Sequence, residues 1–369
     1  MILRKPDFYD KFHCIAGDCS DSCCIGWEID INEEKLEFYR KVPGVLGERF
    51  RRCIDWEEGH FLLEGKEERC PFLNGENLCD LILELSEDAL CDICREHPRF
   101  YDWFEDVTEV GLGLCCEEVA RLLLEEKEPF CLVEEELADS GEADGETSPE
   151  EETEEALQER RLVNALFTAR GTAFLLVQNR DYPVWDRLLC LLSYAGELQE
   201  CLDFGDVEGV IATAERYAGA EVWPAQRQLT KEQRREVYLD ILKLCRRLEA
   251  IDDGWEQQLS RLEALAARPE QLYDAQKRLE AVALEREEEY EHLAAYFIYR
   301  YFMKCREDGA IRSKAGLVLV GVLLIRLMDL DCVSRTGELN AKDRIQNAKA
   351  CSKELEYSEE NLELVEEAF

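Results

Sequence analysis

The chain has 369 residues, 46% of them apolar and 34% charged, with a formal net charge of −39. That length accommodates two domains of about 100–200 residues each, and the apolar fraction excludes a disordered chain. The acid excess repels nucleic-acid phosphates and anionic membranes, so neither is expected as a partner; it favours solubility and suits a basic partner such as a lysine-bearing protein.

The opening residues, Met1-Ile-Leu-Arg-Lys-Pro-Asp-Phe8, show no apolar targeting run and no small-residue cleavage site, so a cytoplasmic location is expected. Residues 1–131 mix short elements with turns marked by Gly17, Gly26, Gly44, Gly59, Pro43 and Pro71. A helix is predicted over 32–40, with Asn32 as N-cap and Glu33 and Glu34 in its first turn. A short strand is predicted over 59–65, a helix opening at Ser86, and another over 117–124. Residues 134–159 carry thirteen acidic residues and no basic one. Like charges repel, so 132–159 reads as an acidic linker or mobile loop and as the domain boundary.

From residue 160 to 369 the apolar spacing is helical. Leu162, Val163, Leu166 and Phe167 mark one helix, and Leu188, Leu189, Leu192 and Tyr194 another. Residues 271–304 read as one long helix. The longest apolar run, 315–325, is too short for the roughly 20 residues that span a bilayer, so it reads as a buried helix. A short last helix is predicted over 361–367, after Ser358. The predicted fold is mainly α: a cysteine-rich metal-binding N-terminal module over 1–131, built of short helices, turns and a few short strands, followed by an all-α domain over 160–369.

Twelve of the 18 cysteines lie in residues 1–131. They fall as Cys14-x4-Cys19-x3-Cys23-Cys24, Cys70-Pro-Phe-Leu-x5-Cys79, Cys91-x2-Cys94 and Cys115-Cys116, with Cys53 and Cys131 apart. In a reducing compartment such clustered thiols point to a metal. Thiolates are soft ligands that select zinc or iron–sulfur, and four suffice for one structural zinc or one [4Fe–4S] cluster. The spacing alone does not choose which four. The four histidines, His13, His60, His97 and His292, form no zinc-finger pair with them; His13 adjoins Cys14 and reads as its neighbour. Cys190, Cys201, Cys245, Cys305, Cys332 and Cys351 are scattered singly through helical patterns and read as small core residues.

These motifs resemble the flagellin lysine N-methylase family. The stretch Pro6-Asp-Phe-Tyr9 … Phe12-His-Cys14 … Cys19-Ser-Asp-Ser-Cys23-Cys24-Ile-Gly26-Trp27 is similar to the family's opening. Cys70-Pro-Phe-Leu … Cys79, Cys94-Arg-Glu-His-Pro98-Arg99 and Leu114-Cys-Cys116-Glu-Glu118 are similar to three further segments, and residues 352–362 to its ending. Glu117 and Tyr357 stand where the family has proline and histidine. The resemblance implies S-adenosylmethionine-dependent methylation of flagellin lysine ε-amines, with a [4Fe–4S] cluster in the cysteine module. It carries over Cys14, Cys19, Cys23, Cys24, Cys70, Cys79, Cys94 and Cys116 as metal ligands. Eight exceed one cluster, so some are structural or two centres exist. The alternatives are a non-enzymatic zinc- or iron-binding protein, or a relative that modifies another protein or peptide.

Methyl transfer to lysine needs a neutral amine, whose ordinary pKa is about 10.4. Tyr296, Tyr299, Tyr301, Glu354 and Glu356 are candidates to align the ammonium and take its proton. Gly111-Leu-Gly113 is only a fragment of a nucleotide-binding loop. Arg99 and Arg121 read as structural ion-pair residues, and Trp27 as a core residue with an adenine-stacking alternative.

Overall fold

The structure, a computed structural model, describes residues 1–20, 22–66, 68–136, 153–219, 229–283 and 287–369. Residues 137–152, most of the stretch read as an acidic linker, lie outside the described residues.

The N-terminal part starts with β1 (Ile2–Pro6). α1 (Glu33–Lys41) begins where predicted, with acids in its first turn and Arg40 and Lys41 in its last, the order the helix dipole favours. Asn32 occupies the N-cap position, but its Oδ1 accepts from the Asp92 N–H (3.3 Å) instead of capping the helix. α2 (Gly44–Cys53) follows. β2 (Ile54–Asp55) and β3 (His60–Phe61) pair as a small ribbon, all that forms of the strand predicted over 59–65. α3 (Asp80–Glu84) and α4 (Asp92–Glu96) flank Ser86. The helix predicted from Ser86 is a single 3-10 turn over Glu87–Ala89, because too few residues separate the two flanking helices for a full one. Ser86 sits at φ +135° with no capping bond.

β4 (Arg99–Phe104) and β5 (Val107–Leu112) form a hairpin. α5 (Glu117–Glu125) and β6 (Leu132–Glu136) complete this part. The sheet order is β4-β5-β1-β6, with β1 parallel to β5 and antiparallel to β6. Leu132–Glu136, read from sequence as the start of the linker, is therefore an edge strand. Its acids oppose the cations of β1: Arg4 pairs with Glu134 (2.7 Å) and Lys5 with Glu135 (2.8 Å). Opposite charges across neighbouring strands stabilise the pairing that like charges within β6 oppose.

The rest is helical: α6 (Glu154–Val177), α7 (Val184–Asp203), α8 (Val207–Ala218), α9 (Lys231–Cys245), α10 (Trp255–Ala266), α11 (Pro269–Ala283), α12 (Glu287–Tyr301), α13 (Cys305–Asp308), α14 (Ile311–Thr336), α15 (Ala341–Glu356) and α16 (Glu359–Glu366). The stretch 271–304, read as one helix, is divided between α11, α12 and a 3-10 turn at Phe302–Lys304. α14 is buried on all sides from Lys314 to Val333 and packs against α7, α11, α12 and α15. Gly321 permits its close crossing with α12, since a Cβ there would lie 2.5 Å from the Phe297 ring. Among the described residues no helix is long and apolar enough to cross a membrane.

The cores do not divide at residue 131. Phe8, Phe12, Leu112, Leu114, Val119 and Leu123 share one core with Leu166, Leu191, Phe297 and Leu323. The apolar faces of β5 and α5 need a cover, and the helices supply it. A second, smaller core gathers Ile29, Tyr39, Phe50, Phe61, Phe72 and Leu81 with Cys70 and Cys91. Tyr39 stacks on Phe50 at 4.2 Å between ring centres. A buried ion pair joins sheet to helices: Arg170 of α6 grips Glu109 of β5 with both guanidinium nitrogens, one at 2.6 Å, and Arg4 adds a contact at 2.9 Å.

Candidate functional site

The candidate cysteines fall into two neighbourhoods. Cys70, Cys79, Cys91 and Cys94 surround Tyr39 in the small core, and Cys24 lies within their electrostatic reach. The Cys70 N–H donates to the Cys24 carbonyl at 2.8 Å. Cys14, Cys23 and Cys116 form the second group, which Cys19 and Cys115 join beside Cys116. The adjacent Cys23 and Cys24 link the two. Their thiols share a proton, so the Cys24 pKa falls to about 7 while that of Cys23 rises. Burial pushes Cys70 and Cys116 up to about 12. First-turn N–H groups oppose this: those of Glu118 and Val119 favour the Cys116 thiolate at the N-terminus of α5, and those of Leu81 and Ile82 favour that of Cys79 at α3.

Among the described residues, no three or more His, Cys, Asp or Glu side chains are arranged to hold a metal ion, so the predicted metal module is not itself on view. The chemistry of the donor set nevertheless fits a thiolate-held metal: soft ligands drawn into two groups, with helix N-termini that favour deprotonated sulfur. Cys91 and Cys115, which the resemblance did not select, lie inside these groups. The Cys91-x2-Cys94 spacing and the Cys115-Cys116 adjacency were the signals for them. Cys53 borders the small core, and Cys131 stands apart, donating to Asp7 at 3.4 Å. His13 is exposed beside Cys14. Of the six scattered cysteines, Cys201 is half-buried and the others are buried.

The proton-handling candidates separate as well. Tyr296, Tyr301 and Glu356 are bound to one another through Arg300. The Tyr296 hydroxyl donates to Glu356 (2.7 Å) and accepts from the Leu114 N–H (3.0 Å). Arg300 Nε lies 3.1 Å from Glu356 and 3.0 Å from the Tyr301 hydroxyl. Burial raises the Glu356 pKa. Tyr357 meets the Cys115 sulfur and feels Cys23 and Cys116. This polar cluster therefore backs the second cysteine group. Tyr299 lies elsewhere, donating to the Val110 carbonyl (3.0 Å) as a bolt between α12 and the sheet. Arg121 is an ion-pair residue, held by Glu118 (2.6 Å), and Arg99 lies over the Tyr9 and Phe12 rings. Gly111 and Gly113 serve packing, since Cβ atoms there would meet the Phe100 ring (2.1 Å) and the Cys115 sulfur (3.2 Å).

A cleft of about 420 Å³ opens between α10, α15 and Ser20, within the usual range for small-ligand sites. Glu354 lines it. Its carboxylate accepts from the N–H groups of Ile251 (2.9 Å) and Asp252 (2.8 Å), yet burial dominates and raises its pKa to about 7. The cleft reaches the second cysteine group through Glu117, which accepts from Ser20 and from Gln346 (3.1 Å) and lies 3.8 Å from the Cys19 sulfur. Of its walls, sequence reading had identified only Glu354.

The His97 ring lies 6.0 Å from that of Trp27. Trp27 is partly buried and donates to the Cys23 carbonyl (2.5 Å). Burial lowers the His97 pKa to about 4, against about 6.5 in an unfolded chain. The unfolded chain then binds the proton first as pH falls. The stability that neutral His97 contributes is complete above pH 6.5 and declines from there toward pH 4. Urea unfolding at pH 7 and pH 5 should show a smaller pH-dependent loss for His97→Gln than for the native chain. Equal losses would mean His97 is not held neutral.

The family described as "FliB lysine N-methylase C-terminal domain" matches residues 170–369. The "Flagellar biosynthetic protein FliU" of Salmonella muenchen is 25% identical over 143 residues, covering 36% of this chain and 83% of that protein. The "Lysine-N-methylase" proteins of Salmonella typhimurium (strain LT2) and Salmonella choleraesuis (strain SC-B67) are each 24% identical over 147 residues. Those matches cover 36% of this chain but only 35% of either lysine-N-methylase. No solved structure matches.

Proposed function

Because the chain belongs to the FliB lysine N-methylase family, we propose that it is an S-adenosylmethionine-dependent protein-lysine N-methyltransferase acting on flagellin in the cytoplasm, with a [4Fe–4S] cluster on its N-terminal cysteines. The observation that carries this reading is the family match across the helices that form the cleft and the polar cluster. The cluster's ligands are Cys14, Cys19, Cys23 and Cys116, the thiols of the second group. Cys24, Cys70, Cys79 and Cys94, with Cys91, form a second thiol pocket that holds the small core. When bound, an iron–sulfur cluster supplies redox or Lewis-acid chemistry.

The remaining work falls to side chains of this chain. Its acid excess draws a lysine-bearing protein toward it. The amine must lose a proton before it accepts a methyl group, and a base poised near neutrality serves best. Glu354, at about 7 on the cleft wall, has that property and is fixed by two N–H groups. Arg300 and Glu356 hold α12 and α15 in register behind the cysteines.

Anaerobically prepared protein should be brown, with a broad band at about 400 nm and about four irons per chain. Flagellin co-expressed with it should gain methyl-mass steps on lysine peptides. Colourless protein with stoichiometric zinc would overturn the cluster. An unchanged flagellin mass beside iron-loaded protein would overturn the substrate.

A further inference from the structure

Three of the four thiols assigned to the cluster, Cys14, Cys19 and Cys23, lie on one loop that has little of its own to hold it. No described residue is buried between Phe12, in the large core, and Cys24, whose carbonyl accepts from the Cys70 N–H. The regular structure in that stretch is a single 3-10 turn over Ala16–Asp18. Burial therefore contributes little to the loop's placement, and polar contacts must fix it. They converge on one side chain, Glu117 in the first turn of α5. The Glu117 carboxylate accepts from the N–H (3.0 Å) and the hydroxyl of Ser20 and lies 3.8 Å from the Cys19 sulfur. From α15, Gln346 donates to it (3.1 Å) and to the Ser20 hydroxyl (2.8 Å), and Lys349 Nζ lies 3.8 Å away. Glu117 directly follows Cys116, the fourth thiol, in the chain.

We propose that Glu117 is a positioning residue: it clasps the Cys14–Cys23 loop to α5 and α15, and so sets three ligands beside Cys116, next to the cleft wall formed by Ser20, Gln346 and Lys349. The proposal rests on the ligand assignment above. Hydrogen bonds to a carboxylate are roughly twice as strong as neutral ones, which suits a clasp that must order an exposed loop against its chain entropy. Once Cys19 is a thiolate it has no proton to give Glu117, and the Lys349 ammonium offsets the two like charges. The small-core thiols lie outside the clasp, placed by the packing around Tyr39.

The test compares the native chain, Glu117→Ala and Glu117→Gln, each as the anaerobically prepared, iron-loaded full chain. Iron loss to a ferrous chelator is timed. After the iron is removed, iodoacetamide labelling of each cysteine is followed by mass spectrometry of its peptide. Glu117→Ala should lose iron at least about tenfold faster and label at Cys14, Cys19 and Cys23 at least about tenfold faster, with Cys79 and Cys94 unchanged. Glu117→Gln keeps an acceptor oxygen for Ser20 and Gln346 and should stay closer to the native chain than to Glu117→Ala. Native-like rates in Glu117→Ala would overturn the clasp. So would a rise at Cys79 and Cys94 as large as that at Cys19, which is general loosening, and so would Glu117→Gln as labile as Glu117→Ala, which assigns the effect to charge. A native chain that takes up no iron would overturn the cluster reading, while the labelling rates would still decide the clasp.

Discussion

Replacing Glu109 with alanine should cost the fold about 3–5 kcal/mol, the usual penalty for leaving a buried charge without its partner. Glu109 is 1% exposed and is held by Arg170, itself 2% exposed, and by Arg4. Removing the carboxylate strands the Arg170 guanidinium among the rings of Phe167, Phe174 and Tyr299. Those rings soften the loss but cannot replace two charge-assisted hydrogen bonds. Arg4 keeps Glu134 and so loses less. The double variant Glu109→Leu with Arg170→Met should recover most of the stability, because desolvation is then no longer opposed by an unpaired charge. Urea unfolding followed by circular dichroism reads all three proteins. A change below about 1 kcal/mol for Glu109→Ala would put this pair in the class of weak surface bridges and remove it as the joint between sheet and helices.

Cys116→Ser should take the iron content from about four per chain to near zero and remove the brown colour. Cys79→Ser should leave both in place and instead loosen the small core. The difference follows from position. Cys116 sits at the N-terminus of α5, beside Glu117 and the cleft, whereas Cys79 sits at α3 against the aromatic cluster. Iron analysis and absorption of anaerobically prepared variants decide it. Colour lost in Cys79→Ser and kept in Cys116→Ser would move the cluster to the other group.

Much of the helical architecture was legible because its signals are local. Ser358 accepts from the Asn361 N–H (3.2 Å) at the start of α16, as its place before an apolar run suggests, and the 315–325 run lies inside α14. The four-stranded sheet was not legible. β6 carries a run of acids that reads as linker, and only its cross-strand register with β1 gives those acids Arg4 and Lys5 as partners. The cysteines were legible as a cluster, but their partition was not. Cys23 and Cys24 are adjacent in the chain, yet their strongest further thiol neighbours lie in different groups, a matter of turn geometry that spacing does not encode. The tyrosines and Glu356 were chosen for their chemistry. In the structure they are committed to Arg300 and the backbone, while the cleft beside them is walled by Trp255, Arg261 and Lys349, which belong to no motif, together with Lys353 and Glu354 of the closing segment.

The Glu109–Arg170 pair also bears on how such a protein could be reassembled from parts. The family match begins at Arg170, and the acid that neutralises it lies 61 residues earlier, outside the matched span. The border drawn by similarity thus cuts an ion pair instead of passing between self-sufficient units. A recombination that exchanged the N-terminal region for an unrelated one would need an acid at the same place in the same strand.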